Sequence, residues 1–418
     1  MRKITIVGAG QAGLMLGIGL RKQGFAVRIY SDRNAEQIHS GRILSNQCMW
    51  HGALEIERQF GLQYWDEDPP KISGFELSVV DRNQGRLANY IAPLSNPGQS
   101  VDQRLKIPVW MGEFERLGGE LIIKNVDIDD LNRRSQDSDL VILAAGKGRG
   151  ELKTLFEVDE TKTLFHEPQR FGASVYTTGR KFRPKNRSSN IGWTIIPGVG
   201  EFWIIPAQSK DGPCHIICLQ GVVGGPMDIW DDVDGPDQHL KLVMELVNTW
   251  LPWERDLCRD VTLTDPKAFL SGGVPCITHV PVRKLPSGRS VLAIGDSHVL
   301  NDPICQQGSN VAARAADSLL NWIVERSDQP FDEEWMMACG DRLWTESQKI
   351  VRLTKQFLHP PNYFAPFLAS AENSPELASL IADANDSVDL YFPWLVEEDA
   401  AASLANGHGV NFDLELFN

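Results

Sequence analysis

What this chain has little of narrows it first. No apolar run among its 418 residues is long enough to cross a bilayer, so no helical membrane span is expected. Its start shows no basic segment ahead of an apolar core and a cleavage site. No signal peptide is therefore expected, and the cytoplasm is the expected compartment. Positive charge is in deficit: 41 Lys and Arg against 55 Asp and Glu leave a net charge of −14. Sequence-independent nucleic-acid binding rests on a basic face and is not expected here. Acidic residues gather between Trp230 and Asp234 and again beyond Glu397, which reads as solvated surface. Cysteine is scattered and odd in number, with seven at positions 48, 214, 218, 258, 276, 305 and 339. There is no C-x-x-C pair and no zinc-like spacing, so no metal is expected and the thiols read as reduced and mostly buried.

What is present begins with Lys3-Ile-Thr-Ile-Val-Gly8-Ala9-Gly10-Gln11-Ala12-Gly13-Leu14. A short β-branched run ends in glycines spaced G-x-G-x-x-G, and a helical pattern follows to Leu20. Gly8 permits a tight turn, Gly10 lets backbone approach a pyrophosphate, and Gly13 lets the helix pack close to the strand. The helix start offers free N–H groups and a positive dipole end to phosphates. A second strand at Ala26–Tyr30 completes a βαβ unit. Ribose binders usually place an acid directly after that strand. Here Ser31 stands first, then Asp32 and Arg33, with Asp32 about twenty residues past the glycines and so still placed for the task.

Further along, Gly41–Asn46 is a polar loop, and Ala53–Gln59 reads as a helix. Ile72 to Ile91 alternates apolar and polar residues around a break at Asp81–Gly85, a hairpin signal. A helix is expected over Trp110–Leu117, ended by Gly118-Gly119, and a strand over Glu120–Val126. Asp139–Ala145 is almost wholly apolar, as suits a strand buried on both faces of a parallel sheet, and Gly146-Lys147-Gly148 follows it. From Phe171 to Gly273 short β-like runs recur, at 173–177, 192–197, 201–206 and 215–222, with one helix at about 239–251. Those runs read as an antiparallel sheet forming the substrate half. Ser290–Ile294 is another buried strand, closed by Gly295-Asp296. Asp296 is well placed to accept ribityl or ribose hydroxyls. A loop containing Pro303 and Gln306-Gln307-Gly308-Ser309-Asn310 precedes a helix over Val311–Val324, and the amides of Gly308 to Asn310 suit a polarised ring. The chain is then mostly helical, with Trp335, Met336, Leu343 and Trp344 read as core and the tail after Ala400 as loose.

The order of these stretches resembles the FAD-dependent aromatic hydroxylases of the p-hydroxybenzoate hydroxylase fold. Within them the chain is most similar to the oxygenase component of styrene monooxygenase and its indole monooxygenase relatives. Besides the glycine turn, the matches are Tyr30–Arg33, Asn46, Val101–Leu105, Gly146-Lys147, Pro197–Glu201 with Ile205-Pro206, Gly272–Val274, Gly295-Asp296 and Asp302-Pro303 through Asn310. The resemblance implies an α/β fold in which a Rossmann-like FAD-binding domain is interleaved with an antiparallel β-sheet substrate domain. The first comprises residues 1–70, 96–165 and 285–325, the second 71–95 and 166–284, and 326–418 forms a helical C-terminal region. FAD is expected against Gly8 to Gly13, against Ser31, Asp32 and Arg33, and near Asn46. Arg104, Val126, Ala145 and Gly146 are expected to line it too, as are Gly295, Asp296, Pro303, Gly308, Ser309 and Asn310. Asn46 is the best polar pocket residue, with loop stabilisation as its plainer role. No side chain is expected to act as acid or base, since the flavin carries the oxygen chemistry. His51 and His298 read as structural or solvated.

Two departures matter. Hydroxylases that take hydride from NAD(P)H themselves usually carry Asp-Gly after the buried strand, whereas this chain has Ala145-Gly146-Lys147 and no second G-x-G-x-x-G in strand–helix context. FAD delivered already reduced by a separate NADH:flavin reductase is therefore implied, together with O2, an apolar aromatic substrate such as styrene or indole, and a homodimer. The family usually has Gly-Gln-Gly near Pro303, but here Gln306 replaces the first glycine. Its side chain is expected to narrow the pocket or alter hydrogen bonding to the flavin. Two alternatives stand beside the monooxygenase. One is an FADH2-dependent halogenase, whose W-x-W-x-I-P pattern is half matched by Trp203–Pro206 with Glu201 in place of the first Trp. The other is a non-catalytic FAD-binding protein.

Overall fold

In the computed structural model, residues 1–68, 70–81, 85–147, 150–181, 189–230, 233 and 235–412 are described. Gly148, the turn residues 82–84, Asp231, Asp232, Asp234 and the last six residues of the tail lie outside them. The chain runs β1 (Lys3–Val7), α1 (Gln11–Lys22), β2 (Ala26–Ser31), α2 (Ala35–His39), α3 (His51–Gln59), β3 (Lys71–Val80), β4 (Arg86–Gln99), α4 (Gln103–Arg116), β5 (Glu120–Ile123), α5 (Ile128–Gln136) and β6 (Leu140–Leu143). There follow β7 (Arg170–Thr178), β8 (Asn190–Ile196), β9 (Gly200–Ser209), β10 (Gly212–Val222), α6 (Gly235–Trp250), β11 (Thr262–Leu263), β12 (Phe269–Gly273), β13 (Ile277–Thr278), β14 (Val282–Lys284), β15 (Ser290–Ala293) and β16 (Val299–Leu300). The rest is helical: α7 (Gly308–Glu325), α8 (Glu333–Leu358), α9 (Phe364–Ser370), α10 (Pro375–Asp383) and α11 (Glu398–Gly407).

A six-stranded sheet has the order β14-β15-β6-β1-β2-β5, parallel except for β14. Its β1, β6 and β15 are apolar on both faces because α1, α4 and α7 cover one side and a second apolar cluster the other. The order reverses beside β1, between strands that lead right to β2 and left to β6, and such a reversal opens a crevice at the carboxyl ends of the strands. An eight-stranded, mostly antiparallel sheet has the order β11-β7-β10-β9-β8-β3-β4, with β12 on β7. Strand alternation divides its residues between two cores. On β9, Phe202 and Ile204 face the cluster built with α6, whereas Trp203, Ile205 and Ala207 face the cluster built with α8 to α11.

The helix expected at Trp110–Leu117 starts earlier, at Gln103. Asp102 caps it, its Oδ1 accepting from the Arg104 N–H at 2.8 Å. Pro108 sits inside and has no N–H for the Arg104 carbonyl, which instead accepts from His39 Nδ1 at 3.2 Å. The tail differs from expectation as well. Residues 398–407 are helical, and Ala401 and Ala405 are fully buried against α9 and its neighbours, so small apolar residues pin this stretch down. Met336 and Leu343 are core, while Trp335 and Trp344 are half-buried. Among the described residues, no helix is long and apolar enough to cross a membrane.

Candidate active site

The loops at the carboxyl ends of β1, β6 and β15 meet at the reversal of strand order. Gly8 has φ +118°, and a Cβ there would lie 2.2 Å from the Ala144 carbonyl oxygen. A Cβ on Gly13 would lie 2.0 Å from the Gly8 oxygen, so the absence of a side chain is what seats α1 on β1. Gly10 is different: a Cβ on it would meet nothing within 4 Å. It is the residue before α1, and no side chain caps that helix end. Ala9 and Ala12 are nearly buried beside it. The turn therefore presents uncapped N–H groups to an open space, as a phosphate requires.

At the end of β2 the Ser31 hydroxyl donates to the Arg33 carbonyl at 2.6 Å, which shapes the turn, while Asp32 is exposed with Arg33 Nε at 3.4 Å. Val126 is buried just beyond β5. Opposite, Ala145 and Gly146 follow β6, and a Cβ on Gly146 would also meet nothing within 4 Å. Ser297 Oγ donates to the Gly146 carbonyl at 3.0 Å, tying the loop after β15 to the loop after β6. Gly295 lies 3.6 Å from Ala12 by the same construction. Asp296 is exposed to solvent, with dense protein behind it. The desolvation this brings raises its pKa against the pull of Lys147, whose own pKa desolvation lowers.

The third wall is the loop leading into α7. Asp302 is buried, its Oδ1 accepting from the Ile304 N–H at 2.9 Å and its Oδ2 lacking any partner. Burial pushes its carboxyl up to about 7, opposed by the Ile304 N–H and by Arg170. Pro303 is exposed, and a Cβ on Gly308 would meet nothing within 4 Å. Asn310 is wholly buried and holds the neighbouring loop: its Oδ1 accepts from the Trp50 N–H at 2.9 Å and its Nδ2 donates to the Cys48 carbonyl at 2.9 Å. Gln11 joins α1 to both, donating to the Ser309 carbonyl at 3.2 Å and accepting from Gln47 Nε2 at 2.6 Å. Glu57, paired with buried Lys106 at 2.8 Å, supports this network from beneath.

Arg104 is spent differently. It is fully buried between Asp102 and Asp265, at 2.8 and 3.0 Å, and also donates to the Gly41 carbonyl at 3.3 Å. Asn46 donates to Cys218 Sγ at 3.4 Å, which ties the loop to the second sheet. Beside it that sheet presents aromatic rings: Trp193 stacks on Trp203 with centroids 4.7 Å apart and on Phe357 at 5.9 Å. His298 is buried, and burial lowers its pKa to about 4, so it is neutral. His51 is half-exposed, 3.9 Å from Glu55. Sequence reading did not single out Gln47 or the Glu57–Lys106 pair, because their partners are distant in sequence. Among the described residues, no group of three His, Cys, Asp or Glu could hold a metal.

The residues fit a flavin dinucleotide. Buried acceptors without donors line the loops: Asn46 Oδ1, Gln47 Oε1, Asp302 Oδ2 and Gln307 Oε1. Such atoms are costly unless a ligand brings O–H or N–H groups, as a ribityl chain and a flavin ring do. The glycine turn faces open space where the pyrophosphate would lie.

A family profile described as the styrene monooxygenase A putative substrate binding domain matches residues 148–256. Styrene monooxygenase StyA of Pseudomonas fluorescens is 27% identical over 390 residues, spanning 91% of this chain and 92% of that one. StyA of a Pseudomonas sp is 28% identical over 395 residues with the same coverage. Among solved structures, the flavin-dependent brominase Bmp2 superposes with a TM-score of 0.65 at 16% identity, covering 97% of both chains. A flavoprotein/dehydrogenase from Cytophaga hutchinsonii gives 0.66 at 13% identity, covering 97% of this chain and 100% of that one. At such identities these two show the fold alone. The matches to the two StyA sequences over 91% of the chain, with the profile match, support a styrene monooxygenase-like oxygenase, a flavin-dependent enzyme whose cofactor is FAD.

Proposed function

We propose that the chain takes FAD already reduced by a separate NADH:flavin reductase and uses O2 to insert one oxygen atom into an apolar aromatic substrate, such as styrene or indole. The observation that carries this reading is the set of unpartnered buried acceptors on the loops 46–47 and 302–307, with Asn46 bonded at 3.4 Å to Cys218, which lies opposite Trp203 in the second sheet. We further propose a cytoplasmic homodimer in which residues 1–70, 96–165 and 285–325 hold FAD and residues 71–95 and 166–284 hold the substrate.

The cofactor, when bound and reduced, supplies the two electrons that let one atom of O2 enter the substrate while the other leaves as water. The chain's own residues do the rest. The uncapped start of α1 binds the pyrophosphate, and Asp296 accepts hydroxyls of the linker. Gln11, Gln47 and Asn310 fix the loop 47–50 against α7, which orients the ring site. The aromatic and thiol side chains of the second sheet exclude water from the substrate. Glu201, 3.3 Å from buried Arg170, stands where the halogenase pattern has its first Trp. The halogenase pattern is therefore only half matched, by Trp203–Pro206.

The test is turnover with chemically reduced FAD, oxygen and either styrene or indole, with and without bromide and chloride. An oxygenated product independent of halide supports the proposal. A halogenated product would replace it with the halogenase, and FAD binding without any product would leave a binding protein.

A further inference from the structure

Among the described residues two that are not glycine adopt a left-handed backbone, Gln306 at φ 53° and Ser327 at φ 49°. Ser327 lies in an exposed turn just past α7, where this conformation commonly closes a helix. Gln306 lies at the other end of α7, inside the site. Its N–H donates to the Pro303 carbonyl at 2.8 Å, and its own carbonyl accepts from Asn310 Nδ2 at 3.2 Å, so the conformation is held from both sides. Glycine would adopt it freely. The side chain adds a second cost, because Oε1 is buried with no donor in reach. Two local penalties at one residue beside a ligand cleft mark a position kept for binding rather than for folding.

The position says which ligand. Ile304 and Cys305, just before Gln306, pack into the aromatic core of the second sheet. Ser309 and Asn310, just after it, are bonded to α1 and to the loop 48–50. Gln306 thus stands on the seam between the cofactor cleft and the aromatic wall. Resting on the function proposed above, we infer that Gln306 determines substrate choice: its carboxamide accepts a hydrogen bond from a substrate N–H or O–H. The preferred substrate is then a flat, otherwise apolar ring system with one such donor, rather than a pure hydrocarbon.

Indole and indene test this, since they share a shape and differ in the N–H. Both would be titrated into FAD-loaded protein and followed by perturbation of the flavin absorbance, without turnover. Wild type is compared with Gln306→Gly and Gln306→Met, and FAD affinity and apoprotein melting are measured for each. Wild type is expected to prefer indole over indene by roughly tenfold. Both variants should lose that preference by weakened indole binding, keep FAD affinity within about threefold, and fold, with Gln306→Gly melting higher than wild type. An unchanged preference in the variants, or none in wild type, overturns the inference and leaves the proposed function standing. A tenfold loss of FAD affinity in both variants with the preference intact assigns the donor to the cofactor and overturns it too. If FAD binds but neither ring compound does, the aromatic substrate itself is wrong and the inference falls with it.

Discussion

Replacing Gly10 by alanine separates the cofactor site from the fold. The backbone of Gly10 has φ −84° and ψ −172°, ordinary for any residue, and a Cβ there would meet nothing within 4 Å. As the residue capping α1 it does lose a little: glycine is a better cap than alanine by about 0.5–1 kcal/mol. The apoprotein should therefore stay folded, with a small drop in melting temperature. A bound pyrophosphate would meet the added methyl directly. Overpacking a close contact costs about 1–3 kcal/mol, which is roughly a 5- to 150-fold weaker Kd for FAD. Gly13→Ala behaves in the opposite manner, because its Cβ would lie 2.0 Å from the Gly8 carbonyl oxygen, a backbone atom that cannot yield without moving β1. That variant should lose more than about 3 kcal/mol and fail as a protein before it fails as a binder. Urea unfolding of the apoproteins and titration with oxidised FAD, followed by flavin fluorescence, read both quantities. A Gly10→Ala variant that binds FAD as wild type does would show that no phosphate approaches this turn.

Asp302 makes the apoprotein's stability depend on pH. Burial lifts its folded carboxyl to about 7, so between about pH 4 and 7 the native state holds a proton that the unfolded chain has released. Stability from this group therefore falls as pH rises through that window and is level above it, by up to roughly 4 kcal/mol. His215 and His298, lowered to about 4 by burial, act oppositely, losing stability as pH falls below about 6.5. The difference between wild type and Asp302→Asn isolates the carboxyl: in urea midpoints at pH 5 and 8 the variant should gain on wild type at the higher pH, and parallel curves would refute it. Lys106→Met leaves Glu57 buried without its cation, and should cost about 3–5 kcal/mol in urea unfolding, most of it recovered by adding Glu57→Gln. All seven cysteines are buried and none is in a disulfide, with Cys214, Cys218, Cys276 and Cys339 pushed up to about 12 by burial. Ellman's reagent should therefore react with the folded protein far more slowly than after denaturation, and a fast equivalent would show an exposed thiol.

The strands of the first sheet were legible because burial on both faces demands continuous apolar runs, and Leu140–Leu143 contains nothing else. The hairpin of β3 and β4 was legible from its alternation and its turn residues. The start of α4 was not. Arg104 and Lys106 interrupt its apolar pattern, and both are buried with the help of Asp265 and Glu57, which reach them from elsewhere in the chain. No local window contains those partners. Residues 398–407 failed for a related reason: Ala401 and Ala405 look featureless until α9 covers them. At Gln306 the sequence showed a side chain where a glycine was expected. That the backbone keeps the glycine conformation there is a property of the surrounding loop, held by Pro303 and Asn310.

The same distinction applies to how the site would bind. Sequence motifs draw attention to side chains such as Gln11, Arg104 and Asn310, yet the geometry commits these to the protein itself. The Gln11 amide serves Gln47 and Ser309, the Arg104 guanidinium serves Asp102, Asp265 and Gly41, and the Asn310 amide serves Cys48, Trp50 and Gln306. What these residues leave for a ligand is backbone N–H and the space their bonds hold open. Among the polar side-chain atoms still without partners, those on the loops 46–47 and 302–307 are carboxamide and carboxylate oxygens, while Trp50 Nε1 is a donor. A cleft built this way favours a ligand that is anionic at one end, where the uncapped turn lies, and rich in donors along its length. It also couples the two ends, since Gln11 bonds both the loop at Gln47 and the start of α7. Displacing the start of α1 would therefore pull on both loops at once.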